Sequence, residues 1–155
     1  MQDSQIGLDD KYRQAIHALP LDKLNKAYKW IEGKYGIAGR RWLCANDRFY
    51  LLCKVLHRKD AFKPWLLARC REVEANPDGY LDLWAREHYK STVITFAGII
   101  QEIIRNKEIT VGLFSHTRRI SIKFLRQVKI ELEVNQDLKS LFPDIFWQSP
   151  KGEAP

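Results

Sequence analysis

No stretch of eighteen apolar residues occurs in this 155-residue sequence, so no transmembrane helix is expected. Cysteine is scarce. Cys44, Cys53 and Cys70 are odd in number and no two stand at C-x-x-C spacing, which argues against a disulfide framework and points to small buried thiols in a reduced, cytoplasmic setting. The opening residues, MQDSQIGLDDKY, are acidic and polar and do not read as a secretory signal. There is no internal repeat and no low-complexity segment. With 45% hydrophobic and 12% aromatic residues, disorder is excluded and a core is affordable within one domain, or one and a fraction. What the chain has in excess is positive charge. The net charge is +7, of which +5 falls before Tyr80 and +2 from there on. That balance suits a polyanion partner, but it is spread along the chain rather than gathered into one block.

The first part reads as helical. Residues 9–19 form a short helix stopped by Pro20. A second runs over residues 21–35, with Leu21, Leu24, Tyr28, Ile31 and Tyr35 on one face and Gly36 at its end. Residues 36–41 read as a hinge-like link. Asn46 is a candidate cap for a third helix over 47–56, and Pro64 opens a fourth over 64–75. The sequence NPDG at 76–79 is a turn. Trp65 reads as a core residue or, alternatively, as a stacking surface.

The rest is organised around residues 80–106. A short apolar run at 80–85 has strand length, a polar turn follows, and Lys90-Ser91-Thr92 precedes an apolar helix from Val93. Strand, turn, Lys-Ser/Thr and buried helix is the order of a phosphate-binding loop. In it, backbone amides from His88 through Tyr89 to Thr92 would bind phosphates, Lys90 would neutralise them, and the Ser91 hydroxyl would ligate magnesium. Both glycine positions of G-x-x-x-x-G-K-[ST] are filled by other residues, Trp84 and Tyr89, and a solvated surface turn is the alternative. Residues 109–114 (ITVGLF) read as a second buried strand. The helix at 118–135 turns Ile120, Phe124, Val128 and Leu132 to one side and Arg119, Lys123, Arg126 and Lys129 to another. The expected fold class is therefore α/β: an incomplete P-loop NTPase-type parallel sheet of two strands with crossover helices, preceded by a helical subregion. The boundaries fall at 1–61, 62–147 and a tail at 148–155.

The segments AREHYKST and VGLFSHTRRISIKFLRQVKIELE, approached by FKPWLLARCREVEANPDGYLDLW, resemble the ATPase domain of phage terminase large subunits, the motors that package DNA. That family tolerates a deviant Walker A with an arginine four residues before the lysine, here Arg86 before Lys90. The resemblance implies ATP and magnesium, with Arg86 as γ-phosphate sensor. It also implies double-stranded DNA, a small terminase subunit and a portal as partners, in the cytoplasm of a bacterial host. No Walker B strand and no nuclease domain follow, and Asp144 is a poor substitute, so the chain looks like the N-terminal part of a longer protein with incomplete hydrolysis. The second reading is a non-catalytic, basic DNA- or protein-binding module, a remnant of a prophage gene. A third is another P-loop enzyme of the helicase-like kind.

Overall fold

The protein is described by a computed structural model over residues 7–76, 83–85 and 88–146, and among these residues there is no β-strand. Helix α1 (Asp10–His17) starts at Asp9, whose carboxylate accepts hydrogen bonds from the amides of Lys11 and Tyr12 at 3.0 and 3.3 Å. Helix α2 (Leu21–Asn46) runs on well past the expected end at residue 35. Gly36 does interrupt it, at φ 55° and ψ −131°, but the chain resumes helical geometry at once instead of forming a link. The break folds the second half tightly against the first. A Cβ on Gly39 would lie 2.8 Å from the Ile31 carbonyl oxygen, so this contact needs glycine.

Helix α3 (Arg48–Tyr50) is capped by Asp47, one residue past the expected Asn46, and widens into a π-helical turn, Leu51–Val55. Phe49, Tyr50, Leu51, Leu52 and Val55 are fully buried, and α2, α4 (Pro64–Ala75) and the later helices wrap around them. A helix apolar on every side belongs at the centre of a core. A second π-helical turn, Ser91–Ala97, leads into α5 (Gly98–Arg105); α6 (Arg118–Val134) and α7 (Gln136–Leu141) complete the chain. The Asn135 side chain caps α7 through the Leu138 amide at 3.0 Å and donates to the Val55 carbonyl at 2.8 Å, tying the C-terminal helices to the centre. One continuous core takes side chains from Leu8 to Phe146.

The expected α/β class and its parallel sheet are overturned. Residues 109–114 form no strand, and Phe114 is 97% exposed. Their β-branched composition suggested a strand, but a strand exists only with a ladder partner, and β-propensity is largely a record of packing context. Of the other expected strand, residues 83–85 are irregular with Leu83 81% exposed, and 80–82 lie outside the described residues, as do Pro77 to Gly79 of the expected turn and the tail. Two crossovers cannot be built without strands, and the P-loop architecture goes with them.

The most consequential polar group in the core is Asp47, 1% exposed. Besides capping α3 it accepts from the Tyr28 hydroxyl at 2.7 Å and from both terminal nitrogens of Arg71 at 2.9 and 2.8 Å. Burial, reinforced by the charge of Asp47, pushes the Tyr28 hydroxyl far above the ordinary tyrosine range, so it remains a donor. Removing one member of a buried ion pair leaves the other charge stranded. Asp47→Ala should therefore cost about 3–5 kcal/mol in urea unfolding, and Arg71→Met should cost less when added to it than when made alone, because the two changes share the Asp47–Arg71 pair while Arg71 also donates to Glu74. A loss under about 1 kcal/mol for Asp47→Ala would show that the network does not hold the helices together.

Candidate binding surface

The loop before α5 does not build a phosphate site. Tyr89 adopts φ 65°, the left-handed conformation that a P-loop gives to glycine, while its ring packs half-buried against the core. Lys90 is already helical, and the Val93 amide bonds to the Tyr89 carbonyl at 2.8 Å. Lys90 and Ser91 are exposed on the first turn of a π-helical segment, and among the described residues no strand delivers the chain to it. His88 lies with its ring 5.9 Å from Trp65, which is part-exposed instead of in the core, and Trp84 carries the Arg69 guanidinium 4.7 Å over its ring. A cavity of about 640 Å³ is bounded by Trp84, His88, Tyr89, Lys90, Ser91 and Thr92, so these residues do share a surface. Arg86 lies outside the described residues. Asp144 pairs with Arg41 at 3.8 Å, close to α2. Among the described residues no group of three or more His, Cys, Asp or Glu side chains could hold a metal ion. With neither sheet nor P-loop, the likeness to a terminase ATPase domain is not sustained, and the packaging-motor function falls with it. ATP and magnesium lose the loop that motivated them.

What the structure builds instead lies around α6. Of its seventeen residues only Val128 is buried; Ile120, Phe124 and Leu132, expected inward, are half-covered. Ile122, Leu125, Ile130 and Val134 are exposed, Leu125 at 57%. At about 100° per residue, Arg119, Lys123 and Arg126 fall on the side opposite Val128, and all three are exposed. Between α6 and α5 opens a cleft of about 520 Å³. Ile99 and Ile103 form one wall, Leu125, Val128 and Leu132 the other, and Ile109, Val111, Leu113, Ile145 and Phe146 close the ends. Its lip carries Lys129 and Glu133, paired at 3.7 Å. A contiguous apolar hollow beside a basic helix face is the signature of an interaction site. The exposed half of this surface went unrecognised in the sequence although a signal was present. Apolar residues stand on every side of α6, more than a single neighbouring helix can cover.

The chain was compared with protein-family models, with curated proteins and with solved structures, and none of the three gave a match. Among the described residues no helix is long and apolar enough to cross a membrane.

The three cysteines are free and buried. Burial raises the thiols of Cys44 and Cys70 above the usual range and pushes Cys53 up to about 12, so none is a ready nucleophile. The folded chain keeps these protons where the unfolded chain, near the ordinary 9.0, releases them. Their contribution to stability is thus complete below pH 9.0 and is lost as pH rises toward about 12. Iodoacetamide at about pH 8 should leave all three unmodified in the native protein and label all three in urea. Native-state labelling at the rate of free cysteine would contradict this.

Proposed function

We propose that the chain is a non-catalytic protein-binding module that seats an acidic, amphipathic segment of a partner in the cleft between α5 and α6. The observation that carries this is α6 itself, a seventeen-residue helix that folding buries at Val128 alone. A partner helix laying its apolar face into the cleft would cover Leu125 together with Ile99 and Ile103, the usual way a groove of this shape is filled. Arg118, Arg119, Lys123 and Arg126 are exposed on α6 outside the cleft, and with the net charge of +7 their field favours an acidic partner over a basic one. A second copy of the chain would instead bring two bodies of charge +7 together. Duplex DNA would satisfy the basic residues but leave the apolar hollow in water. The walls offer aliphatic side chains and a mutually paired Lys129 and Glu133, without a nucleophile and base at hand. Reduced, buried thiols suit a cytoplasmic setting for this module.

Fluorescence anisotropy with a synthetic amphipathic helix of about four turns, leucines on one face and glutamates on the other, tests the reading. The peptide should bind, Leu125→Asp should weaken it about tenfold or more, and Lys123→Glu with Arg126→Glu should weaken it most at low salt. The same peptide with lysines for glutamates should bind less well. Should a short DNA duplex bind more tightly than the peptide, and Leu125→Asp leave that binding intact, the chain is a DNA-binding module. Self-association in sedimentation that Leu125→Asp abolishes would identify a second copy as the occupant. A rise in melting midpoint with ATP and magnesium that Lys90→Ala erases would overturn the binding-module reading.

A further inference from the structure

A second cleft, of about 1170 Å³, opens between α1, α4 and α5 on the other side of residues 109–112. At its inner wall lies Arg48, a charged side chain only 8% exposed. Among the described residues its guanidinium makes one hydrogen bond, from Nε to Gln101 Oε1 at 3.0 Å. Gln101 is itself held by the Cys44 and Ala45 carbonyls at 3.2 and 3.3 Å, so the fork has a fixed orientation. The two nearby carboxylates are committed elsewhere. Glu74 accepts from the Arg48 backbone amide at 2.8 Å and from Arg71 at 3.2 Å, and Glu102 accepts from Arg105 at 2.6 Å. Neither forms an ion pair with the Arg48 side chain. The outer amino groups lie beside Gly98, where a Cβ would stand 3.6 Å from the guanidinium.

We propose that this cleft binds a small organic monocarboxylate, clasped by the two outer amino groups of Arg48. A guanidinium fork pre-oriented through Nε presents its remaining donors at the spacing of two carboxylate oxygens. A buried cation whose neighbouring carboxylates are engaged by other donors is costly, and an anion bound directly to it lowers that cost. Burial draws Arg48 below the ordinary arginine value, with Glu74 only partly offsetting it, as expected of a charge lacking its own partner. Glu74 and Glu102 in the same cleft repel a second negative charge, which selects a monoanion over a phosphate dianion. Ile94, Ile99 and Val111 line the remaining wall and suit an apolar body on the acid.

Benzoate is the probe, with benzyl alcohol and inorganic phosphate as controls, on the full chain. Benzoate should raise the melting midpoint saturably and shift the Arg48 Nε–H resonance, while neither control does so at equal concentration. Arg48→Lys keeps the charge and loses the fork, and should weaken benzoate about tenfold or more. Thr110→Trp changes an exposed rim residue away from the core and should block entry with a similar loss, which keeps the test decisive if Arg48→Lys does not fold. The assignment is wrong if benzoate gives no saturable rise, if benzyl alcohol or phosphate matches it, or if Thr110→Trp binds benzoate as the native chain does.

Discussion

A single carboxylate, that of Asp47, sits where α2, α3 and α4 meet and gives each of them a hydrogen-bonded partner. Tyr28 reaches it from α2, the Tyr50 amide from the first turn of α3, and Arg71 from α4. Burying a lone carboxylate costs several kcal/mol, so the three helices are held in one arrangement, the one that completes its partners. Burial opposes the charge on Arg71, yet the field of Asp47 outweighs it and raises Arg71 above the ordinary arginine value. From there the polar chain continues through Glu74 to the Arg48 amide, and through the Arg48 side chain to Gln101 on α5. A route of hydrogen bonds thus crosses the apolar core from α2 to α5, and a partly satisfied version of it would be worse than none.

The helices were largely legible because their signals are local. Pro64 at the start of α4 and Pro20 between α1 and α2 each act within a few residues, and each marks a helix boundary in the structure. Gly36 was legible as a break but not as one that the helix survives, because the continuation depends on Gly39 fitting against Ile31 across the bend. The supposed loop failed for a different reason. Lys90 and Ser91 are read alike in any context, and what makes them a phosphate site is a strand that is absent among the described residues. Arg48 gave no sequence signal at all. Its burial and the commitment of Glu74 to other donors arise only when residues far apart in sequence are brought together.

The two clefts differ because the same core leaves different surfaces uncovered. Where α5 faces α1 and α4, the polar chain from Asp47 reaches the surface, and charged groups line the opening. Where α5 faces α6, no polar group arrives from within, and the walls are aliphatic. Helix α6 packs mainly on the π-helical turn at Ser91–Ala97 and is held at its far end by Asn135, which leaves its middle spanning a gap. The exposed isoleucines follow from that suspension and not from a weak helix.

Between the clefts runs the stretch whose composition had suggested a strand, and its alternation is put to use without a ladder. Leu113 borders the aliphatic side, Thr110 and Gly112 border the charged side alone, and Ile109 and Val111 reach both. A period of two sorts side chains to opposite faces of any extended segment, whether or not a neighbouring strand is present. Here the two faces are two hollows. The small or polar residues Thr110 and Gly112 meet the charged side, Leu113 meets the aliphatic side, and Ile109 and Val111 serve both. The β-branched and aromatic composition that read as a buried strand thus belongs to a segment between two hollows, and the mistaken step was to supply it with a ladder partner that is absent among the described residues.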